Sequence, residues 1–95
     1  MTTRTIPIAV FRLGRIVSTP NALQSLTKED ILRGLQRHQA GDWGDLEAPD
    51  WEANYRALTQ DGRILSAYNA QNGTRYWIIT EGDRAVTMVL LPEDY

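Results

Sequence analysis

Residues 63–91 read RILSAYNAQNGTRYWIITEGDRAVTMVLL, the most apolar and β-branched stretch of the chain. Two glycine-containing turn signals interrupt it, QNG at residues 71–73 and EGD at residues 81–83. Short runs of β-branched and aromatic residues separated by such turns are typical of antiparallel hairpins. The stretch therefore predicts a three-stranded antiparallel meander, on which the rest of the chain packs.

The middle strand of this meander is apolar on both faces. Tyr76 and Ile78 share one face, and Trp77 and Ile79 share the other. A sheet with one solvated face shows a cleaner alternation of apolar and polar residues. We therefore expect helices on one face, and the N-terminal segment or a partner, including a second copy of the chain, on the other.

Helix start and stop signals predict two main helices between the N-terminus and the meander. Thr27 begins the first with a capping box completed by Asp30, and Gly41 ends it. Pro49 opens the second, and Gly62 ends it.

The N-terminal part predicts shorter elements. The Thr19–Pro20 pair starts a brief helix around residues 20–25, and residues 6–11 (IPIAVF) predict a strand confined to an edge by Pro7. Residues 16–17 continue as a second short extended piece. The predicted fold is α+β: one domain over residues 1–95, with two main helices on a three- to four-stranded antiparallel sheet.

Composition restricts the class of protein. Ninety-five residues without cysteine make one domain and leave no disulfide and no thiolate chemistry. No apolar run approaches the roughly 20 residues of a membrane span, and the first residues do not resemble a signal peptide. We therefore expect a cytoplasmic protein that makes no membrane contact.

Charge is distributed unevenly along the chain. Six basic residues and two acids give residues 1–37 a charge of +4, whereas four arginines and ten acids give the remainder −6. The basic part has no dense cluster, so direct nucleic-acid binding is not the favoured function. A nucleic-acid-binding or regulatory module that uses Arg12, Arg15, Arg33 and Arg37 stays open as the alternative.

Catalytic chemistry has little support in the sequence. His38, the single histidine, stands near Asp42, Asp45, Glu47 and Asp50, but their spacing matches no metal-ligand motif. Helix caps and turns explain the acids more simply. We predict no enzyme activity, no metal site and no cofactor; a small metal-dependent hydrolase or toxin centred on His38 and Asp42 is the weaker alternative.

Acidic residues are the best candidates for function. Residues 42–52 hold five acids and no base, and the sequence ends in Glu93-Asp94-Tyr95. If they converge, they form a negative patch that can bind an arginine-rich groove on a partner, including one that normally takes nucleic acid. A solvated acidic surface that keeps a small protein soluble is the simpler interpretation. The candidate partner-binding residues are Asp42, Asp45, Glu47, Asp50, Glu52, Glu93 and Asp94.

Four sequence blocks carry a family resemblance. They are RHQAGDWGDL at residues 37–46, RILSAY at 63–68, WIITEGDR at 77–84 and LLPEDY at 90–95. From Leu13 onward the chain resembles small bacterial proteins carried on plasmids and integrated elements, usually labelled plasmid-related proteins. No catalytic role comes with these motifs.

The resemblance implies a mobile-element setting, in which small acidic proteins without cofactors are often anti-defence factors. Such factors include inhibitors of CRISPR effector complexes and of restriction enzymes, and the protein partner that we expect is a subunit of a type I CRISPR effector complex. The chain would inhibit that complex by blocking target DNA binding or nuclease recruitment.

Overall fold

The structure, a computed structural model, describes residues 9–95. Three helices pack with a four-stranded sheet, which confirms the α+β class. Among the described residues, no helix has the length and apolar character to cross a membrane. In chain order the elements are β1 (Arg15–Ser18), α1 (Pro20–Ser25), α2 (Lys28–Gln39), α3 (Ala48–Gln60), β2 (Ile64–Asn69), β3 (Arg75–Thr80), β4 (Val86–Leu90) and a C-terminal 3₁₀ turn (Pro92–Asp94).

The sheet has the strand order β1-β4-β3-β2. The predicted meander is confirmed: β2 pairs antiparallel with β3, and β3 pairs antiparallel with β4. The prediction of a purely antiparallel sheet was wrong, because β1 pairs parallel with β4. No hairpin fixes the direction of β1. Gly14 (φ +66°) lies so close to the Ala85 carbonyl oxygen that a Cβ atom would collide with it, and the next residue, Arg15, donates its amide to that oxygen (2.8 Å).

The N-terminal strand differs from the prediction in position and in role. Within residues 6–11, residues 6–8 lie outside the described residues, and residues 9–11 form no strand. The strand is the second extended piece, Arg15–Ser18. It extends the edge of the sheet beside β4 and does not cover a face.

Helices α1 and α2 cover one face of the sheet. Helices on one face were predicted, but of the two main helices only α2 lies there, since α3 lies along the outer edge of β2. The Thr27 hydroxyl accepts a hydrogen bond from the Asp30 amide (3.1 Å), and the Asp30 carboxylate accepts one from the Thr27 amide (3.0 Å), which completes the capping box. That backbone hydrogen bond lowers the pKa of Asp30 against the opposing effect of its burial. Leu35 and Ala22 then pack with Ile78 in the main core.

Gly34 lets α2 approach β3 closely. A Cβ atom there would lie 2.6 Å from the Tyr76 hydroxyl and 3.0 Å from Ile78 Cδ1. The Tyr76 hydroxyl donates a buried hydrogen bond to the Asp30 carbonyl (2.9 Å), so the ring cannot move without losing it.

We expect Gly34→Ala to lower the free energy of unfolding by about 1–3 kcal/mol, because overpacking outweighs the gain in helix propensity of about 1 kcal/mol. Urea denaturation measures the change. Gln36→Ala, at an exposed position of the same helix, is the matched control. A stabilised Gly34→Ala variant would contradict the close packing.

Helix α3 ends one residue earlier than its glycine suggests. Asp61 takes the left-handed conformation (φ 54°), and the Gly62 amide bonds the Ala57 carbonyl (3.2 Å). The Arg84 guanidinium caps this end by donating to the carbonyl oxygens of Ala57 (2.8 Å) and Gly62 (2.6 Å). An αL residue and a cation are both favourable at a helix C-terminus.

Helix α3 and the loop before it close the outer edge of β2. The Asn54 side chain donates to the Leu65 carbonyl (2.7 Å) and accepts from the Leu65 amide (3.1 Å). Two residues after Leu65 on the same strand, the Ala67 amide donates to the Trp43 carbonyl (3.0 Å), and the Ala67 carbonyl accepts from the Asp45 amide (2.7 Å). These bonds place the acidic stretch of residues 42–52 directly beside the sheet.

The face of the sheet opposite α1 and α2 has only partial cover. The side chains of Leu65 and Trp77 are half-buried there, and Met88 is 38% exposed. Tyr95 packs edge-on against Trp77, with ring centroids 5.7 Å apart. Tyr95 at the end of the chain therefore covers part of this face, which we expected the N-terminal segment or a partner to cover.

Candidate functional site

One open groove gathers acidic and apolar side chains at the β2 edge. Its volume is about 380 Å³. Three of the predicted partner-binding carboxylates line it, and the other lining residues were not predicted as part of a site. The lining consists of Asp45, Leu46, Glu47, Asp50, Leu65, Arg75 and Trp77.

The acidic side of the groove follows from how the chain enters α3. Gly44 (φ +77°) forms a bridge with Ala67, and a Cβ atom there would collide with the Ala67 carbonyl oxygen, so only glycine lets the loop run this close to β2. Glu47 is the N-cap residue of α3, yet its carboxylate makes no capping hydrogen bond. Asp50 lies in the first turn of the helix. The positive end of the helix dipole stabilises acids at this position.

The apolar side of the groove comes from strand parity. Leu65 on β2 and Trp77 on β3 lie on the face opposite α1 and α2, since alternate residues of a strand share a face. Both side chains are half-buried. Tryptophan is enriched among the residues that contribute most to binding at protein interfaces.

One arginine neutralises part of the acidic rim. The Arg75 guanidinium donates to the Asp45 carboxylate (2.8 Å) and to the Asp45 carbonyl oxygen (2.9 Å). Three carboxylates and one guanidinium leave the groove a net charge of −2. Within residues 9–95, Glu47 and Asp50 take part in no ion pair. The groove is therefore unbalanced toward negative charge.

Asp42 has a structural role instead. Its carboxylate accepts two hydrogen bonds from the Arg37 guanidinium (2.7 and 3.2 Å) and one from the Gly44 amide (3.1 Å). The bond to Arg37 is the main reason that the pKa of Asp42 is lowered. Arg37 also stacks over the Tyr68 ring, 4.5 Å from its centroid. Asp42 therefore shapes the loop and does not line the groove.

Asp94 is also occupied within the chain. Its carboxylate accepts from the Thr19 hydroxyl (2.6 Å), the Asn21 amide group (2.7 Å) and the Leu91 amide (3.1 Å). These hydrogen bonds lower the pKa of Asp94 and join the C-terminal turn to the start of α1. Glu52 and Glu93 are exposed and lie outside the groove lining.

His38, the centre of the weaker catalytic alternative, is fully buried in a hydrogen-bonded chain. Its Nδ1 lies 2.5 Å from the Ser66 hydroxyl, and its Nε2 lies 2.8 Å from the Thr80 hydroxyl. The Thr80 hydroxyl in turn lies 2.7 Å from that of Thr87, which donates to the Leu13 carbonyl (2.7 Å). The imidazole joins α2 to β2 and β3.

The last hydrogen bond of this series, from Thr87 to the Leu13 carbonyl, determines the tautomer of His38. Thr87 gives its only hydroxyl proton to a carbonyl, so Thr80 must donate to Thr87 and His38 Nε2–H must donate to Thr80. Nδ1 is then the acceptor of the Ser66 proton. Burial, reinforced by the charge of Arg84, lowers the pKa of His38 to about 3, so the ring is neutral at physiological pH.

His38 and Asp42 therefore have different partners. His38 is hydrogen-bonded to Ser66 in the core, whereas Asp42 pairs with Arg37. Residues 9–95 contain no cluster of three or more histidine, aspartate and glutamate side chains with the geometry of a metal site. Sequence reasoning missed the role of His38 because nothing local marks it. Its partners Ser66 and Thr80 lie 28 and 42 residues away.

Comparison with known proteins adds no relative: the chain matches no protein-family model, no curated protein and no solved structure.

Proposed function

We propose that this chain is a protein-binding inhibitor of a bacterial defence complex, namely a type I CRISPR effector complex. It would act by blocking target DNA binding or nuclease recruitment. The observation that carries the proposal is the groove, which Asp45, Glu47 and Asp50 line together with the half-buried Trp77. The choice of target comes from the family resemblance of the sequence.

Charge gives the groove a way to compete with nucleic acid. Surfaces that hold nucleic acid present arginine and lysine to phosphates. Carboxylates on a rigid scaffold offer the same positive groups an alternative partner, and complementary charge accelerates the encounter. Glu47 and Asp50 are available for this role because no cation of the described chain pairs with them.

Apolar contact supplies the second part of an interface. A stable interface buries about 800 Å² on each partner, a modest share of the 6274 Å² of accessible surface of this chain. Trp77, Leu65 and the exposed Tyr95 extend the acidic groove into a larger patch on the same face. Aromatic side chains at the centre of such patches contribute most of the binding free energy.

Pull-down from bacteria with an active type I system, together with a plasmid or phage protection assay, tests the proposal. We expect the wild-type chain to capture an effector subunit and to protect the invading DNA. The double variant Glu47→Gln/Asp50→Asn should lose at least tenfold in affinity, about 1.4 kcal/mol. Glu29→Gln, which removes one exposed charge on α2, is the control that should retain binding.

Absence of any captured subunit and of any protection would contradict the proposal. So would direct DNA binding that falls steeply with salt and disappears in Arg12→Ala or Arg15→Ala, because that result supports the nucleic-acid-binding alternative. Both arginines are exposed, whereas Arg37 is paired with Asp42.

A further inference from the structure

We infer that the groove is a receptor for an arginine side chain of the partner, and that Arg75 is an internal competitor which this arginine displaces from Asp45. The inference rests on the proposed protein-binding function and names its chemistry. It follows from the apolar floor of the groove, from its unbalanced charge and from the guanidinium that already occupies one end.

The floor favours arginine over lysine. Trp77, Leu65 and Leu46 give the groove an apolar surface beside the carboxylates of Glu47 and Asp50. A guanidinium is planar and weakly hydrated, so it can stack on an indole while its N–H groups bond carboxylates. An ammonium group is compact and strongly hydrated, and it gains less from such a floor.

Arg75 shows that a guanidinium can bind one end of the groove, and it occupies the Asp45 carboxylate there. Its guanidinium contacts both the carboxylate and the carbonyl oxygen of Asp45. The Arg75 and Asp45 side chains are 42% and 70% exposed, and exposed ion pairs of this kind contribute little to stability. A partner arginine can therefore take the place of Arg75 at small cost.

Competition predicts that substitutions of the two residues in this ion pair change the affinity for arginine in opposite directions. Arg75→Gln removes a positive charge from the groove and should strengthen arginine binding about threefold at low salt, where screening is weak. Asp45→Asn removes an acceptor and should weaken binding by about the same factor. A purely structural role of the Arg75–Asp45 pair predicts that both variants bind more weakly.

The test measures binding of a blocked arginine-rich peptide, and of its lysine twin of equal length, to the full chain by isothermal titration at low and at high salt. We expect the arginine peptide to bind more tightly than the lysine peptide, Arg75→Gln to bind it more tightly than wild type, and Asp45→Asn and Trp77→Ala to bind it more weakly. Glu29→Gln is the matched charge control. Circular dichroism verifies that each variant is folded.

Equal binding of the two peptides, no binding of either, or weaker binding by Arg75→Gln would overturn the inference. Failure of the proposed function looks different: the arginine peptide binds with the expected pattern, but the chain captures no effector subunit and gives no protection. Conversely, protection that survives in Glu47→Gln/Asp50→Asn overturns the arginine receptor and leaves an inhibitor that acts through another surface.

Discussion

Replacing His38 with leucine is expected to lower the free energy of unfolding by about 2–4 kcal/mol, a large fraction of the stability of a small domain. Leucine fills a similar volume but neither donates nor accepts a hydrogen bond. The fully buried Ser66 hydroxyl would lose the acceptor of its proton, whereas the Thr80 hydroxyl would lose its donor but keep its hydrogen bond to Thr87. A buried polar group left without a partner costs about 1–3 kcal/mol, and the loss of a second hydrogen bond adds about 1 kcal/mol.

A triple variant separates this cause from loss of packing. His38→Leu/Ser66→Ala/Thr80→Val replaces the imidazole and both hydroxyls by apolar groups, so no donor of the pair is stranded. We expect urea denaturation to show that the triple variant recovers more than half of the loss. A triple variant less stable than His38→Leu, or a single variant that loses under about 1 kcal/mol, would contradict the role assigned to the hydrogen-bonded chain.

Acidification from neutral pH to about pH 5 is expected to destabilise the fold by on the order of 2 kcal/mol through His38 alone. The pKa of His38 is lowered from 6.5 to about 3 in the folded chain. Between these values the unfolded chain binds a proton that the folded chain does not, so stability rises with pH in this window. The contribution is complete above pH 6.5 and is lost as the pH falls toward 3.

The carboxylates with lowered pKa values change the stability of the fold in a different pH range. The stability contributions of Asp30, Asp42 and Asp94 are lost only as the pH falls below their ordinary pKa of 3.8. The interval from pH 6.5 to about pH 5 therefore isolates His38, the single histidine of the chain. Urea denaturation across this interval should show a slope for wild type and a much smaller slope for the triple variant. Equal slopes in both proteins would refute a neutral, buried His38.

The predictable part of the fold is local in sequence. Turn signals gave the meander, because the QNG and EGD segments connect strands that are neighbours in both sequence and space. The capping residues Thr27 and Asp30 gave the start of α2. The direction of β1 could not be predicted, because its partner β4 lies some 70 residues away and no short turn connects the two strands.

The candidate site was only partly predictable for the same reason. Asp45, Glu47 and Asp50 are close in sequence, and a loop followed by a helix start keeps them together. Asp42 and Asp94 carry the same charge, but Arg37, Thr19 and Asn21 occupy them through contacts that no local pattern shows. The apolar half of the groove depends on the pairing of β2 with β3. Trp77 was one sign of it, because the sequence makes both faces of its strand apolar.

The central claim is tested most directly by a gel shift of target DNA with a purified type I effector complex and increasing amounts of this chain. The gel shift is run without and with the nuclease, so that it reports both DNA binding and recruitment of the nuclease. The wild-type chain and Glu29→Gln should prevent DNA binding, or should leave DNA bound but prevent recruitment of the nuclease to the bound complex. Glu47→Gln/Asp50→Asn should do neither while remaining folded. Inhibition by that double variant equal to wild type, or no effect of the wild-type chain on either step, would contradict a groove-dependent inhibitor.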